Sequence, residues 1–221
     1  MSKAIIFDLD GTLVDSCAIC ITILEGMLRD RGVSLSIDPD VARPLMSRGG
    51  ELMVATLLGD HCGNPAQELA EFRARYTQIM TPDSSLFDGV FDGLAKLRDC
   101  GFTMAICSNK PQALCEKVLA DTGLADHFSV VVGGMAPLNP KPAPDLLEKT
   151  LADLGIAVTD CIFVGDSELD HAVAEQAGMP FHFMTYGYAE AGWEPTIGLA
   201  HDHFDQLVQE LAQIRLAAEM A

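Results

Sequence analysis

The chain has 221 residues, 49% of them apolar and 21% charged, and a formal net charge of -18 at neutral pH. That length buries a sizeable core with room for one insert, and the acidity excludes nucleic acid as a partner, because phosphate neutralisation needs Lys and Arg that are scarce here. No apolar run reaches the roughly 18 residues of a membrane span, the first residues carry no secretory pattern, and seven scattered cysteines make no disulfide framework, so the expectation is a cytoplasmic protein with reduced thiols.

The first element is the apolar run Ala4 to Phe7, which ends in Asp8-Leu9-Asp10-Gly11-Thr12. Four stretches with helical spacing follow: 16–32, 39–46, 50–59 and 65–80. No strand pattern appears among them, so residues 15–82 are predicted to be a helical insert with hinges near Asp15 and Pro82. From there the period alternates. Short apolar runs at 102–108, 129–134, 161–166 and 180–186 read as buried parallel strands. The stretches between them read as helices that start at Pro, Ser or Asp and stop at Gly101, Gly123, Gly155 and Gly178. The last 18 residues, from Phe204, are amphipathic and predict a closing helix. Alternation of this kind predicts an α/β protein. Its core is a Rossmann-like parallel sheet with helices on both faces, made of residues 1–14 and 83–221, and 15–82 form a small all-helical cap domain.

Ligands of open parallel sheets bind beyond the carboxyl ends of the strands. The candidate residues are therefore Asp8 and Asp10 after the first strand, Ser108 and Asn109 after the second, and Asp166 with Asp170 after the fourth. Lys141 lies between prolines in Asn139-Pro-Lys-Pro-Ala-Pro-Asp145. Asp8 and Asp10 share one side-chain parity. Two carboxylates about 4 Å apart repel by about 4 kcal/mol at an effective dielectric near 20, so such a cluster takes up protons or a cation. An all-oxygen donor set with room for water and phosphate suits Mg²⁺.

These stretches, "DLDGTLVDS", "CSNK", "NPKPAPD" and "GDSELD" in this order and spacing, resemble the four motifs of the haloacid dehalogenase superfamily. The insert resembles the cap of its phosphoglycolate phosphatase-like members. The resemblance spans the chain and implies a phosphatase in which Asp8 attacks phosphorus to form an aspartyl-phosphate and Asp10 acts as acid and base. It implies Mg²⁺ held by the Asp8 and Asp166 carboxylates and the Asp10 main-chain carbonyl with help from Asp170, and Ser108, Asn109 and Lys141 around the phosphoryl group. Asp10 disfavours a dehalogenase. Cys20, at the cap position where hexose-phosphate mutases carry a histidine, disfavours a mutase, and a cap without lysine disfavours a phosphonatase. The expected substrate is a small phosphate ester such as phosphoglycolate or a sugar phosphate, with Arg43 and Arg48 as candidate carboxylate binders. Pyrophosphate hydrolysis, phosphoryl transfer and a non-catalytic phosphate-binding module are the alternatives, in a monomer or homodimer. The Cys17-x-x-Cys20 pair reads as buried thiols, the His201-Asp-His203 triplet as a loop or helix start, and His182 is given no role.

Overall fold

The computed structural model describes residues 4–219, and side chains through 215. Strand β1 (Ala4–Phe7) is wholly buried, and its alternation feeds both faces of a sheet. Ile5 and Phe7 join one apolar cluster while Ala4 and Ile6 join another on the opposite face. This two-sided burial, with no polar face, marks β1 as a central parallel strand. It pairs with β2 (Thr103–Pro111) and β4 (Cys161–Gly165), all parallel. With β3 (Val130–Gly134), β5 (Phe181–Met184) and β6 (Leu199–His201) the six-stranded parallel sheet runs β3-β2-β1-β4-β5-β6.

Between β1 and β2 lie α1 (Cys17–Asp30), α2 (Pro39–Ala42), α3 (Gly50–Leu58), α4 (Pro65–Tyr76) and α5 (Val90–Asp99). The first four form the helical insert, and α4 starts with the expected signals: Pro65 at its first position and the Asn64 side chain accepting from the Gln67 N–H. The remaining helices are α6 (Gln112–Asp121), α7 (Asp145–Leu154), α8 (Glu168–Gln176) and α9 (Phe204–Glu219). Pro111 ends β2 instead of opening α6, because Asn109 and Lys110 continue the strand past Cys107 at a register shift against β3.

β6 has no counterpart among the strands expected from sequence. Its three residues pair only with β5, and three residues are too few for any periodicity to register. His201, expected in a loop or helix start, is its last residue.

Register sets the site. Phe7 stands level with Ile106 on one side and Val164 on the other. The polar residues that follow β1, β2 and β4 therefore emerge together at one end of the sheet.

Candidate active site

A cavity opens at that end of the sheet. Asp8, Asp10, Ser108, Asn109, Lys110 and Lys141 line its sheet side. Asp166 and Asp170 are buried beside it, and one carboxylate oxygen from each of Asp8, Asp166 and Asp170 lies within 4.8 Å of the others.

Close approach of the strands depends on glycine. Gly11 has φ 86°, the left-handed region, and a Cβ there would run into the Asp166 carboxylate. The chain turns back at this point, so Thr12 Oγ1 donates to Asp166 Oδ1 at 2.6 Å, while the Tyr188 N–H donates to Asp166 Oδ2 at 2.8 Å.

Lys141 is the cation of the cluster. Its Nζ sits 2.5 Å from Asp170 Oδ1, 3.1 Å from Asp8 Oδ1 and 2.9 Å from the Cys107 carbonyl. Burial opposes its charge, but the Asp170 and Asp8 carboxylates outweigh this and raise its pKa. Asn109 fixes the backbone that carries it, donating to the Lys141 carbonyl at 3.0 Å and accepting from its N–H at 2.7 Å. Asp170 is fully partnered: its second oxygen accepts from Ser167 Oγ at 2.6 Å and closes a capping box at the start of α8.

The charge balance is uneven. Burial pushes the Asp8 carboxyl up to about 6, even with Lys141 pulling it down. Asp166 is raised well above the usual carboxylate range by burial and then by the negative charges of Asp170 and Asp8. Three carboxylates share one lysine, so a proton or a further cation relieves the excess.

Asp10 is held apart from this cluster. Lys110 Nζ donates to both its oxygens, at 3.1 and 3.0 Å, and to the Tyr76 hydroxyl of α4 at 3.2 Å.

The structure thus gathers Asp8, Asp10, Ser108, Asn109, Lys141, Asp166 and Asp170 in one place. It does not bring Arg43 or Arg48 to the cavity. Arg43 pairs with Asp15 at 2.7 Å and donates to the Tyr186 carbonyl at 3.0 Å, and Arg48 pairs with Glu190. Arginine finds nearby carboxylates in so acidic a chain, and spacing alone does not show which. Sequence reasoning assigned no part to Thr12 and Lys110. Both sit inside motifs already singled out, next to Asp10 and Asn109, and adjacency was the signal available.

Comparison with known proteins follows the same lines. Residues 5–184 match the model of the haloacid dehalogenase-like hydrolase family. The chain is 34% identical to a phosphoglycolate phosphatase of Xanthomonas campestris over 96% of its own length and 94% of that protein's. It is also 34% identical to one of Rhodobacter capsulatus, over 85% and 86%. CbbY from Rhodobacter sphaeroides, solved in complex with phosphate, shares the fold at a TM-score of 0.78 and 22% identity, over 94% of this chain and 96% of that one.

Proposed function

The chain belongs to the haloacid dehalogenase-like hydrolases, and from that premise we propose that it is a Mg²⁺-dependent phosphatase of small phosphate esters, of the phosphoglycolate type. The observation that carries the proposal is Asp8: it lies on the cavity surface, 3.1 Å from a buried lysine, and belongs to a cluster of three carboxylates with that one cation among the described residues. Residues 15–82 act as a cap over the core made of 1–14 and 83–221.

The oxygen-only donor set and the raised Asp166 carboxyl fit Mg²⁺. Asp8 and Asp166 would hold it, with the Asp10 main-chain carbonyl, while Asp170 orients Lys141. When bound, the ion supplies positive charge to the phosphoryl oxygens.

The protein's own groups do the rest. An Asp8 oxygen attacks phosphorus as the bond to the ester oxygen breaks. Asp10, in its carboxylic acid form, gives its proton to that oxygen and releases the alcohol. A water then attacks the phosphorus of the aspartyl-phosphate, Asp10 takes the water's proton, and the Asp8 carboxylate leaves with phosphate free. Lys141 and Ser108 stabilise the transferring group in a site closed by the insert.

A panel of phosphate esters assayed with and without EDTA tests the reading. Metal-dependent phosphate release is expected, and Asp8→Asn should abolish it, by on the order of 10⁴-fold or more, with an unchanged fold by circular dichroism. Release that survives Asp8→Asn would overturn it.

A further inference from the structure

The far side of the cavity is built by the insert, and it differs in character from the sheet side. Met46, Met53, Leu69 and Phe72 give it apolar walls. Leu69, Phe72, Arg73 and Tyr76 fall at positions i, i+3, i+4 and i+7 along α4, and all four line the cavity, so they form one stripe.

Arg73 stands out in that stripe. The other five arginines of the insert all have carboxylate partners: Arg29 with Glu25, Arg31 with Glu68, Arg43 with Asp15, Arg48 with Glu190 and Arg75 with Asp30. Among the described residues Arg73 has none, although the chain carries 32 acids against 14 bases. It lies about one helical turn from Tyr76, whose hydroxyl is linked through Lys110 to Asp10 at 3.2 and 3.0 Å.

On the phosphatase reading above, we propose that Arg73 is the residue that binds the carboxylate of a phosphoglycolate-type substrate and so sets the preference for it over esters of neutral alcohols. The phosphoryl end of such a substrate takes Lys141. Its carboxylate end needs a separate cation, and among the described residues Arg73 is the one cation on the insert side free to supply it. A guanidinium donates two parallel hydrogen bonds to a carboxylate, a geometry that holds where water reaches the group. The apolar walls beside it disfavour a polyhydroxylated sugar, whose hydroxyls would be stranded without partners.

The test compares 2-phosphoglycolate with 2-hydroxyethyl phosphate, which has an alcohol in place of the carboxylate. The wild type should favour the carboxylate ester. Arg73→Met should lower the ratio of the two kcat/KM values about 10- to 100-fold, mainly through KM for 2-phosphoglycolate, and Arg73→Lys should recover part of it. Arg73 is exposed, and circular dichroism checks that the variants fold. A ratio unchanged within about twofold in Arg73→Met would overturn the assignment. Equal turnover of both esters by the wild type would overturn selection for an anionic group and leave the phosphatase reading standing. Hydrolysis of no ester in the wider panel would remove both.

Discussion

Among the described residues two clusters of potential metal ligands meet at the sheet, and they behave in opposite ways. Asp8, Asp166 and Asp170 meet at the ends of β1 and β4. His182 and His201, with Glu210 of α9, meet across β5 and β6. In both clusters three potential ligand atoms lie within 4.8 Å of one another. In the histidine cluster the ring nitrogens satisfy each other, because His182 Nδ1 and His201 Nε2 are 2.9 Å apart, a hydrogen bond in which one neutral ring donates and the other accepts. Burial, then the neighbouring His201, lowers the His182 pKa to about 4, so the pair stays neutral. In the carboxylate cluster one lysine faces three acids, so a charge remains for a proton or a cation to balance, and Asp8 opens onto a cavity. Proximity and burial are common to both. Surplus charge next to a space for a ligand belongs to one, and that is what identifies a site.

The largest break in this comparison is Lys141→Met. Removing the cation leaves Asp8 and Asp170 buried without compensation, a loss on the order of 3–5 kcal/mol. Activity should fall to the level of Asp8→Asn. Lys141 holds the Asp8 carboxyl down, so without it the Asp8 pKa rises further and the carboxyl costs more stability as pH increases. Urea denaturation should therefore show a larger deficit against wild type at pH 7 than at pH 5.

The two clusters were not equally legible in the sequence. The carboxylates stand at the ends of apolar runs, where strand ends and ligands coincide, and Asp166 and Asp170 sit at the strand-to-helix turn that their own capping residue, Ser167, defines. The first five strands and the helical insert could be read for the same reason, since period and boundary residues are local signals. The histidine pair is a contact between positions 19 residues apart, one on a three-residue strand. The arginines failed similarly: Arg43, in the helical stretch 39–46, pairs with Asp15, 28 residues away. Arg73 lies on a helix face whose orientation only the packing of α4 reveals.

Acid should expose the second cluster. Below about pH 6.5 the unfolded chain protonates His182, while the folded protein resists until pH falls to about 4. Stability is therefore lost as pH drops through that window, by up to about 3 kcal/mol from this group. Glu210 and Asp202 face His201 and favour its charged form, which moderates the loss. The double variant His182→Leu/His201→Val should flatten this limb of the stability curve, with phosphatase activity at neutral pH unaffected. A limb of unchanged slope would mean that other groups carry the acid transition.

The smallest effect should come from Thr12→Val, and it separates the clusters most finely. Thr12 is fully buried and its hydroxyl donates to Asp166 Oδ1 at 2.6 Å. That hydrogen bond lowers the Asp166 pKa against burial and its acidic neighbours, so losing it makes the carboxylate form harder to keep. If Asp166 holds the metal, the variant competes less well with protons for Mg²⁺, and its apparent affinity should fall about 10- to 100-fold, as is usual when a ligand loses its supporting hydrogen bond. Turnover should return towards wild type as Mg²⁺ is raised, because Thr12 touches neither Asp8 nor Asp10 through its hydroxyl. An activity titration with Mg²⁺ reads this directly. A fall in maximal rate with an unchanged Mg²⁺ midpoint would place Asp166 in packing around the site and leave the surplus charge of the cluster to Asp8 alone.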